Sequence, residues 1–530
     1  MNIEEQIIFK AINKRVKDRK ELEDIKRKVA EKKKISLVSQ AKLLEVYHNL
    51  VKNKRIKENE TLERILVTRP MRSLSGIVNI TVLTKPFGCP GQCIFCPFEK
   101  DFPKSYLRGE PAADRAYELR FDPYQQVKKR LEMLQRQGHP IDKIELRIVG
   151  GSWSFYPKNY QTQFIKDCFQ AANDFGSKKK YKNHLSLEEI FKFNEKAKAR
   201  IVGVSIETRP DLINEEEIKR LRNLGVTMVE LGVQTVFDEI HQLNGTGINT
   251  TIIANTTKLL KDAGFKVLYH LMPNLFGSDF EKDRKMFEIV FNDNRFKPDW
   301  LKIYPTVVLE NTHLYQLWQE GKYVSYDDEI LKKLLIEIKQ MMPYWVRIAR
   351  IIRDIPAQKI ISGTKLSNLR EIIQREMKKE RFFCHCIRCR EVKGDYDPKE
   401  KFYLFREDYE ASEGKEVFLS FENENRTKIF SFLRLRHPSF LKKPLFPALK
   451  DAALIREIKT YGELVPLSAK KLAPQHRGLG KRLMKEAERI TKKEFKLNKL
   501  AVIAGVGVRS YFRKLDYQLK NSYMIKNFCL

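Results

Sequence analysis

The chain reads as an α/β protein whose central part is a parallel, barrel-like sheet, and three observations predict it. Between residues 75 and 355, short β-branched runs alternate six times with amphipathic helical periods, the pattern of parallel strands with crossover helices outside. Lysine-rich helical periodicity precedes these repeats, and after residue 395 the rhythm gives way to longer strand-like runs and a glycine loop entering a helix. At 530 residues the chain is also too long for one ordinary core. The expected units are a basic helical segment (1–70), the barrel (71–375), a cysteine-rich linker (376–400) and a mixed α/β region (401–530).

The first segment carries Ile3, Ile7 and Ala11, then Leu22, Ile25 and Val29, at helical spacing, with lysines on the other faces. Lys32, Lys33, Lys34 and Lys54 lie in its two densest basic runs, which suit either a solvated helix face or an arm that binds phosphates. The whole chain has 101 Lys and Arg against 68 Asp and Glu, a formal charge of +33 that favours a polyanionic partner. A cationic substrate such as a histone-like tail is disfavoured by the same field.

The expected barrel strands are 77–83, 144–149, 201–206, 228–233, 267–272 and 301–304, with helices such as 124–137 and 251–263 between them. Function belongs at the carboxyl ends of such strands. After the first lies the loop Cys89-Pro-Gly-Gln-Cys93-Ile-Phe-Cys96; after the second, Gly150-Gly151; after the third, Glu207-Thr-Arg209-Pro-Asp211. Three thiolates at the Cys loop's spacing can hold three irons of a 4Fe-4S cluster and leave the fourth iron open. A zinc knuckle or a redox Cys-x-x-Cys pair are the alternatives. Gly150-Gly151 permits close backbone approach to a ligand or a tight turn. Glu207 suits a ribose hydroxyl or an ion pair with Arg209, and Gln234, His270, Lys302 and Tyr304 stand at strand ends where polar groups line sites. Residues 176–199 insert a basic stretch that suits either a nucleic-acid surface or a solvated loop.

A second cluster, Cys384-His385-Cys386-Ile-Arg-Cys389, reads as a zinc clip with its fourth ligand open, or as a second iron–sulfur site. With eight cysteines, six of them in these two clusters, metal ligation in a reducing compartment is the expectation rather than a disulfide framework. The sequence has no signal-peptide pattern and no apolar run of spanning length, so a cytoplasmic protein without membrane contact is expected.

In the last region, Gln475-His476-Arg477-Gly478-Leu479-Gly480 follows the strand-like run 453–462 and enters a helix, so its glycines offer consecutive amides to a pyrophosphate. This context resembles the acetyl-CoA loop of GCN5-related (GNAT) acetyltransferases, and 505–517 resembles the closing strand and helix of that fold. The Cys-x3-Cys-x2-Cys loop is similar to the radical S-adenosylmethionine (SAM) signature. With Tyr106 to Asp122, Glu207 to Asp211, Glu230 to Gln234, Arg353 to Pro356 and Cys386 to Val392, the chain from about residue 70 to 530 resembles the catalytic subunit family of Elongator in its stand-alone archaeal or bacterial form.

That resemblance implies a partial (βα)6 TIM-like radical SAM barrel followed by a GNAT domain, acting as a tRNA carboxymethyluridine synthase on the wobble uridine. It implies a 4Fe-4S cluster on Cys89, Cys93 and Cys96, with SAM at Gly150, Gly151, Glu207 and Gln234. Acetyl-CoA is implied at Lys143, Glu457, Ile458, Lys459, Thr460, 475–480 and Tyr511, the last facing the thioester sulfur, and structural zinc at Cys384, Cys386 and Cys389. Lys143 and Tyr511 are the implied catalytic side chains, and tRNA, an electron donor and either a second copy or accessory subunits the implied partners. Three departures stand out: a short first cysteine gap, Ile458-Lys459 where the family has His-Val, and Tyr511-Phe512 where it has two tyrosines. The competing expectation from the acetyltransferase motifs alone is a protein lysine acetyltransferase on an iron–sulfur scaffold.

Overall fold

A computed structural model describes residues 1–68, 76–177, 185–392, 400–439, 443–462 and 478–528. Four helices open the chain: α1 (Ile3–Asn13), α2 (Arg19–Lys33), α3 (Gln40–Lys52) and α4 (Glu60–Leu66). Asn2, Asp18, Ser39 and Asn59 start them in turn, each side chain accepting a hydrogen bond from the amide three residues on. Ile8, Leu22, Leu43, Leu50 and Leu66 close a core of their own between these helices. The bundle leans through α3 on the barrel helix α6 (Pro123–Arg136), which follows α5 (Pro111–Glu118).

The six expected strands are present as β1 (Val78–Leu83), β2 (Lys143–Val149), β3 (Arg200–Thr208), β4 (Met228–Gln234), β5 (Lys266–Leu271) and β6 (Trp300–Ile303), all parallel and side by side in chain order. After a short β7 (Val308–Leu309), a further strand, β8 (Arg347–Ile351), pairs parallel with β6 and makes the sheet seven-stranded, while β9 (Ile360–Ser362) folds back on β7. The sequence did not mark β8 because Arg347 and Arg350 interrupt its short apolar run. Arg347 is nonetheless buried, since it points into the barrel, where Glu391 and the Tyr461 hydroxyl receive its guanidinium. The helix Leu369–Lys379 packs Leu369, Ile373 and Met377 into the barrel's core cluster.

The C-terminal sheet has the order β10-β11-β12-β13-β14-β16-β15, from β10 (Tyr403–Ala411), β11 (Gly414–Glu422), β12 (Ile429–His437), β13 (Ala452–Thr460), β14 (Lys499–Val502), β15 (Gln518–Lys520) and β16 (Tyr523–Asn527). Its neighbours are antiparallel except β13 and β14, which are joined through the helix Leu479–Lys493. Leu479, Leu483, Met484, Ala487 and Ile490 form the stripe by which that helix covers the sheet. The glycines expected in the closing strand, Gly505 and Gly507, lie just after β14, in and beside a 3-10 turn.

The barrel and the C-terminal sheet share one apolar core, since Leu454, Ala501, Val506 and Tyr523 belong to the same cluster as Leu260, Phe265 and Ile201. Charges reinforce the seam: Arg456 holds both oxygens of Asp299 at 2.8 and 2.5 Å, Arg434 reaches the Trp345 carbonyl at 2.6 Å, and Arg222 donates to Ala504 and Ser522 carbonyls at 2.9 and 2.7 Å. At Gly505 the backbones meet so closely that any Cβ would fall inside the Val202 carbonyl, and Gly507 abuts Arg200 in the same way. Only glycine permits this approach.

Candidate active site

The cysteine loop lies past the carboxyl end of β1 and is held from three sides. The Ile94 amide donates to the Asn244 carbonyl at 3.1 Å, the Ile94 carbonyl accepts from Leu314 at 2.9 Å, and Arg353 clamps Ser105 and Glu110 behind it. Burial raises the Cys93 thiol, against the opposing pull of Arg209, and pushes Cys96 up to about 12, with Cys93 adding to the rise. Such thiols stay protonated in the absence of a metal, and a metal that binds their thiolates releases the protons to solvent.

Two cysteine triads are distinguished by geometry. The sulfurs of Cys384, Cys386 and Cys389 lie within 4.8 Å of one another, which suits one tetrahedral ion whose thiolates sit about 4 Å apart. Those of Cys89, Cys93 and Cys96 form no such tight group among the described residues, and so suit a body larger than a single ion. Hydrogen bonds from Cys384 and Cys386 hold the Cys389 thiol low, and the buried Lys339 ammonium adds to this from 3.4 Å. His385 does not join the triad: its ring stacks on Tyr344 at 4.5 Å.

From the cysteine loop a cavity of about 670 Å³ descends through the barrel. Cys89, Cys93 and Cys96 line its upper end, and Trp300, Arg347 and Lys459 lie along its wall. Gly151 and Gln234 reach it, both with positive φ, at 78° and 68°. Gly150 is explained by packing instead, since a Cβ there would strike the Thr84 hydroxyl.

Glu207 does not pair with Arg209, which binds Asp211 at 2.9 Å. Its two oxygens take Lys302 at 2.7 Å and the Tyr106 hydroxyl at 2.8 Å. Glu230 closes on the same ammonium at 2.5 Å and on His270 at 3.2 Å. Burial alone would raise both carboxyl groups, but Lys302 overcomes it and holds each below the ordinary range. Although Glu207, Glu230 and His270 converge closely enough for a metal, the Lys302 ammonium stands among them and supplies the balancing charge. Sequence reasoning placed Lys302 and His270 at strand ends but passed over Arg147, Glu145 and Arg347. The signal was there: charged residues inside otherwise apolar strand runs.

Of the residues expected to meet acetyl-CoA, Thr460, Gly480 and Tyr511 come together beside the point where β13 and β14 part. The pairing of these strands ends at Ile455 with Val502, and β13 continues to Thr460 with no strand partner on that edge among the described residues. Gly478, with φ of 71°, starts the helix Leu479–Lys493. The Tyr511 hydroxyl and Thr460 Oγ1 lie 3.3 and 3.7 Å from where a Cβ on Gly480 would be, so the three residues converge. Ile458 packs with the C-terminal core, while Glu457 turns to the barrel and bonds Arg434 at 3.0 Å and Trp300 at 3.3 Å. Lys143 pairs across β2 and β3 with Arg200, the residue that abuts Gly507; burial lowers its pKa and Asp142 opposes the shift. Gln475, His476 and Arg477 lie outside the described residues. Lys32, Lys33, Lys34 and Lys54 are exposed on the helical bundle.

Residues 83–287 match the Radical SAM superfamily and 298–379 the Radical_SAM C-terminal domain. The chain is 44% identical over 485 residues to a tRNA uridine(34) acetyltransferase of Methanocaldococcus infernus, covering 89% of each chain. It is 43% identical to the protein of the same name from Dehalococcoides mccartyi, over 86% of this chain and 98% of that one. Human Elongator complex protein 3 is 36% identical, over 87% of this chain and 86% of its own. Among solved structures, Methanocaldococcus infernus Elp3 lacking residues 1–46 superposes with a TM-score of 0.74 at 42% identity, covering 86% of this chain and 100% of that one. No described helix is long and apolar enough to cross a membrane.

Proposed function

Because the chain belongs to the family of the tRNA uridine(34) acetyltransferases and Elongator complex protein 3, a radical SAM family, we propose that it modifies carbon 5 of the tRNA wobble uridine, joining an acetyl unit from acetyl-CoA to the base as a carboxymethyl group. The observation that carries this reading is a cavity that the cysteine loop lines at one end and that Lys459 of the C-terminal sheet reaches. A protein lysine acetyltransferase on an inert scaffold has no use for that connection.

Cys89, Cys93 and Cys96 would hold a 4Fe-4S cluster, and Gly151, Glu207 and Gln234 would position SAM beside it. When bound, these groups and an electron donor supply a 5'-deoxyadenosyl radical, the hard chemistry of the reaction. Around them the barrel walls exclude water, and the Lys302–Glu207–Glu230–His270 group fixes charge that needs no reorganisation. Acetyl-CoA would lie along the edge of β13 beyond Ile455, with its pyrophosphate at Gly478–Gly480 where unpaired helix amides face an anion. Tyr511 would donate its hydroxyl proton to the departing thiolate, and Lys143 would meet the CoA from the barrel side. Zinc on Cys384, Cys386 and Cys389 would clip the linker to the barrel. Accessory subunits are proposed from the relatives' name.

The deciding experiment is nucleoside mass spectrometry of tRNA incubated with reduced protein, SAM and acetyl-CoA. A carboxymethyl uridine is expected; unmodified tRNA together with acetylated protein lysines would sink the reading. The helical bundle is the proposed tRNA arm. Changing Lys32, Lys33, Lys34 and Lys54 to Glu is expected to weaken tRNA binding strongly and to flatten its log–log salt slope by about 3, near one counterion per lost contact. An unchanged slope in a filter-binding titration would return these lysines to a merely solvated face.

A further inference from the structure

The cations deep in the barrel are matched, with one exception. Arg147 is held by Glu145 at 3.3 Å, Lys302 by Glu207 at 2.7 Å and Arg347 by Glu391 at 2.8 Å. Lys459 has no ion pair or hydrogen bond to its ammonium among the described residues; the Tyr461 ring lies 5.3 Å from Nζ, and Glu145, Glu457 and Glu391 act on it from beyond ion-pair distance. It is also the only described residue of the C-terminal sheet that lines the 670 Å³ cavity. It lies on β13 next to Thr460, and alternation along a strand sends neighbouring side chains to opposite faces. Thr460 accordingly meets Gly480, and Lys459 meets the cavity. Burial, with Arg347 adding to it, lowers the Lys459 ammonium to about 8 against the opposing pull of Glu145, Glu457 and Glu391, so near neutral pH it carries charge that no described carboxylate meets at contact distance.

We propose that Lys459 anchors a subsite for a small monocarboxylate at the junction of the two halves, and that its ligand is acetate. The acid forms when water adds across the thioester, the carbon–sulfur bond breaks and CoA leaves as the thiol; Lys459, on the cavity face of β13, would then hold it on the side of the cysteine loop. This rests on the proposed use of acetyl-CoA. The site suits one negative charge and little bulk, because Glu145, Glu391 and Glu457 offset the surrounding cations and Trp300 walls the space.

The test is a titration of the cluster-loaded protein, without CoA or tRNA, with 13C-acetate followed by NMR line broadening, chloride serving as the competing anion. Lys459→Met is expected to weaken acetate about tenfold or more and Lys459→Arg to retain it, with unchanged cluster absorbance and melting. In turnover, Lys459→Met is expected to raise the ratio of acetate released to uridine modified. Wild-type acetate affinity in the Met variant would overturn the proposal, as would an acetyl group found covalently on Lys459 by peptide mass spectrometry, which would make the residue an acyl carrier. If no tRNA product forms with any variant, the proposed activity fails while the acetate titration still decides the subsite.

Discussion

Replacing Cys93 with serine is expected to abolish the visible iron–sulfur absorbance and all SAM cleavage, while melting and far-ultraviolet circular dichroism stay near wild type. A hydroxyl is a poor substitute for a thiolate as an iron ligand, and three thiolates leave none in reserve. The fold should tolerate the change because Cys93 lies in a loop tethered through Ile94 and Arg353 and contributes to none of the apolar core clusters. Retained SAM cleavage in the variant would refute the assignment of the loop. Among the described residues, Cys384, Cys386 and Cys389 offer no rescue, because they lie apart from the cavity.

The second large effect is expected at the seam between the sheets. Asp299 is fully buried, accepts both nitrogens of Arg456 and the Val267 amide at 2.9 Å, and has Arg434 at 3.6 Å. Asp299→Asn keeps the shape but leaves two buried guanidiniums short of a counter-charge, and is expected to cost about 3–5 kcal/mol in a denaturant titration. The pH dependence has a definite sign. Burial would raise the Asp299 carboxyl, but Arg456 and Arg434 overcome it and hold the pKa well below the ordinary carboxylate value. Its contribution is therefore fully present above pH ~4, the unfolded value, and is lost as pH falls toward the folded one. The Asn variant should lack that part of the acid sensitivity. A variant within about 1 kcal/mol of wild type at pH 7 would mean that the seam is held by the shared apolar core alone.

Much of the barrel was legible because parallel strands buried on both faces are apolar runs, and 77–83, 144–149, 201–206, 228–233, 267–272 and 301–304 are such runs. Both cysteine triads were legible because ligand spacing is local in sequence. Strand β8 was not, since Arg347 and Arg350 interrupt its apolar run, and the buried Arg347 is received by Glu391, 44 residues on. β10, with seven of its nine positions charged or aromatic and much of it exposed, gave no run to read either.

The sequence by itself determined the element types, the thiol ligand sets, the glycine-led helix start and the strongly basic character, because each depends on neighbours a few residues apart. Only the tertiary structure decided which partner each charge would have. Glu207 took Lys302 rather than Arg209, His385 stacked on Tyr344, and Lys459 was left facing the cavity with no described carboxylate at ion-pair distance. The reason is physical: a buried charge is satisfied by whatever group the packing brings within a few ångströms, and that group is set by the crossing of strands hundreds of residues apart.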